Sequence, residues 1–225
     1  MRSFSPSTAA KLSFVWAMGY LSLMHVHRVY AHYLEGGADW TAGQMMLTIK
    51  LVSLAYSYND GFSPSTALLD EWKPMIVKTL PTPLEFFSFT FYFGSVLAGP
   101  PVWYNDYIRF ITREAFPNKG TIPNTLFPVA RRLATFVVTI ACFFVVSEAF
   151  PINFATTAEY ATRPVWYWVV YMYIAGSAMR FQYYSVFAMA EVASDACGLS
   201  YNGLAADGSE RWDRVNMMNP LGVEV

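Results

Sequence analysis

Twenty consecutive residues, Phe86 to Asn105, carry no formal charge. A helix needs about 20 apolar residues to cross the hydrocarbon core of a bilayer, so this run alone points toward a membrane chain. Four other regions approach the same length or apolarity. Leu12 to Leu34 is apolar as far as Met24 and then carries His25, His27 and Arg28. Ala42 to Tyr58 is interrupted by Lys50, and Leu133 to Ser147 is uncharged between Arg131–Arg132 and Glu148. Val165 to Cys197 contains Arg180, Glu191 and Asp195. At 1.5 Å rise per residue its 33 residues exceed one crossing, which predicts either a long tilted helix or two helices meeting near Gly176–Arg180. Only 14% of the 225 residues are charged and 18% are aromatic, where soluble domains carry about 25% charge. The expectation is an all-α, polytopic transmembrane helical bundle. It would have about five to six membrane helices, interfacial loops and a single membrane domain over residues 1–225.

Glycine and proline punctuate the connections. Glu35-Gly-Gly-Ala-Asp39 separates the first two segments, and Asp60-Gly61, Pro64, Pro74, Pro81 and Pro83 fill the loop before the third. Gly99-Pro100-Pro101 ends the third, because proline lacks the amide a helix needs. Trp103, Tyr104 and Tyr107, and then Trp166, Tyr167 and Trp168, read as interfacial anchors. A net charge of -1 with no basic stripe excludes a nucleic-acid partner. Cys142 and Cys197 are the two cysteines and form no metal or redox spacing.

The few charges inside apolar segments are costly and mark either sites or structural pairs. Lys50 shares a helix face with Ser53 and Ser57. From Arg180, Tyr184 lies at +4, Glu191 at +11 and Asp195 at +15. At about 100° per residue these fall within roughly 60° of one another, so a continuous helix would carry a polar stripe. Arg180 and Glu191 would stand about 16 Å apart along the axis, so each needs a partner of its own. His25, His27 and His32 lack further ligands at fitting spacing and read as interfacial, with no metal site expected. Lys50, Arg180 and Glu191 also leave room for a transporter, which would be expected to carry paired inverted segments; none is evident.

The order of several short motifs is more specific than any one of them. Asp39-Trp-Thr, Gln44 to Lys50 and Tyr58-Asn-Asp-Gly61 come first. Phe93-Gly-Ser, Ala98-Gly-Pro100 and Asp106-Tyr107 follow, then Arg180-Phe-Gln-Tyr-Tyr184. Glu191, Gly198-Leu-Ser-Tyr-Asn-Gly203, Trp212-Asp-Arg214 and Leu221-Gly-Val-Glu224 complete the series. This ordered set resembles the membrane-bound O-acyltransferases, in their lysophospholipid acyltransferase branch. The resemblance implies an integral membrane enzyme of the endoplasmic reticulum that moves a fatty acyl group from acyl-CoA to a lysophospholipid. Its partners would be those two lipids, with acyl-CoA as co-substrate and no bound cofactor.

The same resemblance implies a substrate-lining role for Arg180, Tyr183, Tyr184, Glu191, Asn59, Asp60, Asp106, Tyr107, Trp212 and Asp213. It supplies no catalytic residue. The family's catalytic asparagine, in a Trp-Asn motif, and its histidine general base both follow the Trp-Asp segment. This sequence has no histidine after His32 and no Trp-Asn. The expectation is therefore a partial acyltransferase, inactive alone; a non-catalytic membrane partner or regulator is the alternative. Ser200 stands where the branch often has glycine, which puts the backbone of that turn in question.

Overall fold

The computed structural model describes residues 5–31, 40–63, 68–70, 72–96, 99–116 and 121–215. Among them the regular structure is helical, apart from one antiparallel bridge between Leu204 and Glu210. The helices are α1 (Pro6–Ala31), α2 (Trp40–Asp60), α3 (Pro83–Thr90), α4 (Tyr104–Ile111), α5 (Leu126–Ala149), α6 (Ala158–Ala161) and α7 (Val165–Cys197). They fall into two compact units. The first holds the chain to Pro123 and takes it back at Tyr201–Val215; the second holds Asn124–Ser200.

In the first unit α1 and α2 form an antiparallel pair. Pro6, Ala10, Leu54 and Tyr58 line one cleft of the pair, and Phe14, Met18, Thr48 and Val52 line another. The buried face of α1 is small, with Ala10 and Ala17 two turns apart, and small residues let helix backbones approach closely. Ser5 caps the start of α1 through its hydroxyl and the Thr8 amide, 3.2 Å apart, with Pro6 pre-set for the first turn.

The uncharged run Phe86–Asn105 is not one crossing helix. A capping box at Thr82 and Glu85 starts α3, and the helix ends at Thr90. Beyond it the chain folds back so tightly that a β-carbon on Gly99 would collide with the backbone of Gly94 and Ser95. Pro100 and Pro101 then hold it extended until α4. What permits the early stop is Lys50: its Nζ donates to the carbonyls of Phe89 (3.0 Å) and Thr90 (3.2 Å). Phe89 O also accepts from Tyr92 N at 3.4 Å, so the lysine reinforces the end of α3, where helix carbonyls run out of intrahelical partners. The lysine lies over the rings of Phe89 and Tyr92, 5.4 and 6.0 Å from their centroids.

In the second unit α5 and α7 form an antiparallel hairpin. Tyr171 Oη donates to Pro151 O at 2.9 Å at one end, and Arg132 meets Glu191 at the other. α7 is one continuous helix of 33 residues, about 50 Å long. Its buried seam reads Tyr171, Ala175, Ala178, Ser185, Ala188, Glu191 and Asp195, the spacing of a two-helix seam. The helix stops at Gly198, whose φ of 87° is a left-handed cap. Leu199 N then donates back to Ser194 O at 2.9 Å. Ser200 has no positive φ, so the turn places its left-handed backbone on Gly198 and Gly203 and accommodates serine between them.

Leu126–Thr156 is the one segment, among the described residues, long and apolar enough to cross a membrane by that measure alone. α1, α2 and α7 have the length without the same sustained apolarity; their charges are Lys11 and Arg28, Lys50 and Asp60, and Arg180 with Glu191 and Asp195. The expected five to six crossings thus reduce here to one clear case. Val137, Val138, Phe144 and Val145 on α5, and Trp16, Leu23 and Val29 on α1, are exposed. Apolar surface of that extent is foreign to a water-soluble monomer.

Candidate functional site

The first unit brings together four residues expected to line the site, Asp106 and Asp213 through Arg214 and Asn202, and Tyr107 and Trp212 through a row of rings. The Arg214 guanidinium pairs with Asp106 Oδ1 through Nη1, donates to Asn202 Oδ1 at 2.9 Å through Nη2, and reaches Tyr201 O at 3.1 Å through Nε. Asn202 in turn donates to Asp213 Oδ1 at 2.7 Å, and Arg211 Nη2 donates to Asp213 Oδ2 at 2.7 Å. Burial alone would raise the Asp213 carboxyl, but these hydrogen bonds hold it below the usual carboxylate range.

A row of rings also connects these segments. Tyr107 lies 5.4 Å from Tyr92, Tyr92 6.3 Å from Phe110, Phe110 6.2 Å from Phe116, and Phe116 6.1 Å from Tyr201. Trp212 closes it at 5.4 Å from Tyr201. These separations suit favourable ring pairs. Asp106-Tyr107 and Trp212-Asp213 are therefore joined twice, by an arginine and by a row of mostly tilted and edge-on aromatic pairs.

Asn59 and Asp60 end α2 and connect to the same assembly through backbone. Val77 N donates to Ser57 O at 3.0 Å, and Gly61 packs so closely on the Val77 carbonyl that a β-carbon there would collide with it. Asn105 Nδ2 then donates to Pro74 O (2.9 Å) and Ile76 O (2.8 Å), tying that strand of chain to α4. Asp60 also lines a groove of about 520 Å³ between α1, α2, Trp72, Met75 and Trp103. That volume lies in the range of small-molecule sites.

In the second unit Glu191 is fully buried and meets Arg132 Nη1 at 2.6 Å. Asp195, equally buried, has Arg132 Nε 3.7 Å from Oδ2. Ser200 sits beside it without an aligned hydrogen bond to either carboxylate oxygen. One arginine thus serves two acids. Arg180 lies elsewhere, its guanidinium 5.0 Å from the centroid of Tyr173. Tyr183 is exposed and Tyr184 half-buried, so the stripe expected on α7 divides into a buried acidic end and a more open basic end. His25 and His27 lie on α1. His32, Glu35–Asp39, Pro64, Ala98 and Leu221–Glu224 fall outside the described residues.

Arg132, Asn105, Asn202 and Arg214 organise these clusters; Asn202 and Arg214 stand within the motifs quoted from the sequence, but none of the four was expected to be a site residue. Arg214 carried a usable signal, since it directly follows Trp212-Asp213. Arg132 carried a weaker one: it flanks an apolar run that an antiparallel hairpin would bring to the end of α7.

The sequence model of the membrane-bound O-acyltransferase (MBOAT) family matches residues 28–225. The chain belongs to the membrane-bound O-acyltransferase family. Its similarity to a lysophospholipid acyltransferase of Schizosaccharomyces pombe is 32% identity over 94% of this chain and 42% of that protein. Lysophospholipid acyltransferase 5 of Homo sapiens is 27% identical over 92% of the chain and 42% of its own length. Membrane-bound glycerophospholipid O-acyltransferase 1 of Mus musculus is 29% identical over 100% of the chain and 49% of its own length. The chain therefore spans a little under half the length of these curated relatives. For an MBOAT protein the exposed apolar faces of α1 and α5 have a natural solvent, the lipid of the bilayer.

Proposed function

We propose that this chain forms the substrate-side part of a lysophospholipid acyltransferase, which moves a fatty acyl group from acyl-CoA to the free hydroxyl of a lysophospholipid. The observation that carries this reading is the family match over 28–225 together with relatives named for that activity. The architecture supports it physically. An acyl donor with a polar head and an oily tail must meet an acceptor that lives in the bilayer. A helical chamber brings the two to one point while excluding water, which limits wasteful thioester hydrolysis.

A general base must take the hydroxyl proton as the oxygen attacks the thioester carbonyl. This sequence offers no histidine after His32 and no Trp-Asn, so the base and its companion asparagine are assigned to residues outside these 225. The chain alone is then inactive, and its site residues bind and shape. Asp106 and Tyr107 with Trp212 and Asp213 shape lipid contacts in the first unit; Arg180, Tyr183, Tyr184 and Glu191 do so in the second. The endoplasmic reticulum membrane, where lysophospholipids are reacylated, is the proposed location.

The test follows the label. Microsomes carrying the chain in continuity with its downstream coding sequence receive acyl-labelled acyl-CoA and a panel of lysophospholipids. Label in diacyl phospholipid, dependent on a free glycerol hydroxyl, supports the reading. Label that stays in acyl-CoA or appears as free fatty acid for every acceptor refutes it.

A further inference from the structure

Lys50 keeps its ammonium inside the first unit, with the residue only 1% exposed. Among the described residues no carboxylate pairs with it. Burying a charge without a counter-charge is costly, and a methionine would fill much the same volume without that cost. What the charge supplies here is direction. Its Nζ donates to Phe89 O and Thr90 O, which fixes it at the end of α3. The same Nζ stands 5.4 Å from the centroid of Phe89 and 6.0 Å from that of Tyr92. A cation at about 6 Å or less from a ring centroid is attracted to the ring. One ammonium thus orients two rings together with the backbone that carries one of them.

Those two rings are the seat of α4. Tyr107 lies 5.7 Å from Phe89 at 57° and 5.4 Å from Tyr92 at 60°. Tyr104 meets Phe89 edge-on, at 5.5 Å and 87°. Positions i and i+3 share a helix face, so the face of α4 that carries Tyr104 and Tyr107 rests on the pair of rings that Lys50 holds. Tyr107 is buried, and its neighbour Asp106 pairs with Arg214. A continuous path therefore runs from α2 to the Asp106-Tyr107 motif within one unit, from Lys50 to Phe89 and Tyr92 and from these to Tyr107.

We propose that Lys50 is a positioning residue for the lipid site: acting through Phe89 and Tyr92, it sets Tyr107 and Asp106 in the place where they shape lipid contacts. The proposal rests on the reading of this chain as the substrate-side part of an acyltransferase, and it adds a residue of α2 that itself touches no substrate.

The test uses the chain continued by its downstream coding sequence, in nanodiscs, with labelled acyl-CoA and a lysophospholipid. Both KM values and kcat per folded molecule are measured. Tyr107→Leu identifies which lipid the motif holds, by the KM that it raises. Lys50→Met should raise that same KM about ten-fold, leaving the other KM and kcat within about two-fold. In the double variant the rise should not exceed that of the larger single variant, because both act at Tyr107. Lys50→Arg keeps a cation beside the two carbonyls and the two rings and should recover most of the affinity. Phe89→Leu retains Lys50 and its backbone acceptors, gives a second variant should Lys50→Met not fold, and should raise the same KM. A lysine that served folding alone would lower the yield of active enzyme and leave both KM values in place.

A second readout does not depend on turnover. A fluorinated tyrosine at position 107 of the same protein reports its surroundings by fluorine NMR. Its resonance should shift or broaden in Lys50→Met and return in Lys50→Arg. The proposal is overturned by unchanged KM values in a folded Tyr107→Leu, Lys50→Met or Phe89→Leu protein. Additive effects of Lys50→Met and Tyr107→Leu, a Lys50→Arg protein no better than Lys50→Met, or a fluorine resonance that Lys50→Met leaves untouched would overturn it equally. No transfer by the unaltered protein would instead refute the acyltransferase reading, and the fluorine resonance would still decide whether Lys50 sets Tyr107.

Discussion

Arg214 and Asp106 are paired across 108 residues of sequence, and the pair closes the first unit. Everything between Asn124 and Ser200 leaves that unit and belongs to the second. The return of the chain is held by one guanidinium that also grips Asn202 and Tyr201 O.

Removing either member should therefore loosen the return hairpin. Arg214→Ala and Asp106→Ala are each expected to lower stability by about 2 kcal/mol, the scale of hydrogen bonds to charged groups. Arg214→Ala should be the larger, because it also strands Asn202 Oδ1 and Tyr201 O. A double-mutant cycle followed by unfolding in bicelles should give a coupling of about 1–3 kcal/mol. Strict additivity would show that the pair is incidental.

Arg132 carries two buried acids, so its loss should be the most damaging single charge change in the second unit. Arg132→Met removes the guanidinium that both Glu191 and Asp195 face, and a cost of about 3–5 kcal/mol is expected. Glu191→Gln should cost less, because Arg132 keeps Asp195 at 3.7 Å. Arg132→Lys should rescue only in part, since a point charge cannot present Nη1 to one acid and Nε to the other. Limited proteolysis in nanodiscs, read at the α5–α7 hairpin, ranks the three. A lysine variant as resistant as the original would contradict the shared role.

Two glycines should respond with opposite sign to the same substitution. Gly61→Ala drives a β-carbon into the Val77 carbonyl, backbone that cannot move aside cheaply, and should destabilise by about 1–3 kcal/mol. Gly176→Ala meets nothing within 4 Å in the interior of α7 and should stabilise by up to about 1 kcal/mol. Thermal unfolding of the two variants in the same detergent checks the signs directly.

Helical class and the presence of polar residues on the face of α7 were legible in the sequence, because apolar run-length and spacing decide them, whereas the sequence left α7 open between one long helix and two meeting near Gly176–Arg180. The third segment misled. Phe86–Asn105 has the composition of a crossing, but a lysine 36 residues upstream of its start satisfies the carbonyls that end α3, and Gly99 allows the fold-back. Neither effect is local. Asp106-Tyr107 and Trp212-Asp213 were recognisable as motifs, whereas their meeting was not, since pairing across 108 residues leaves no periodic trace. Glu191 was seen to need a partner, but its identity depended on where the α5–α7 hairpin turns.

The central claim is that these residues shape a lipid site while the proton-accepting chemistry lies outside them. It is tested most directly by comparing acyl transfer from labelled acyl-CoA to lysophosphatidylcholine in two samples, the purified 225-residue chain and the same chain continued by its downstream coding sequence. The account predicts background for the first and turnover for the second. Turnover by the 225-residue chain alone would contradict it.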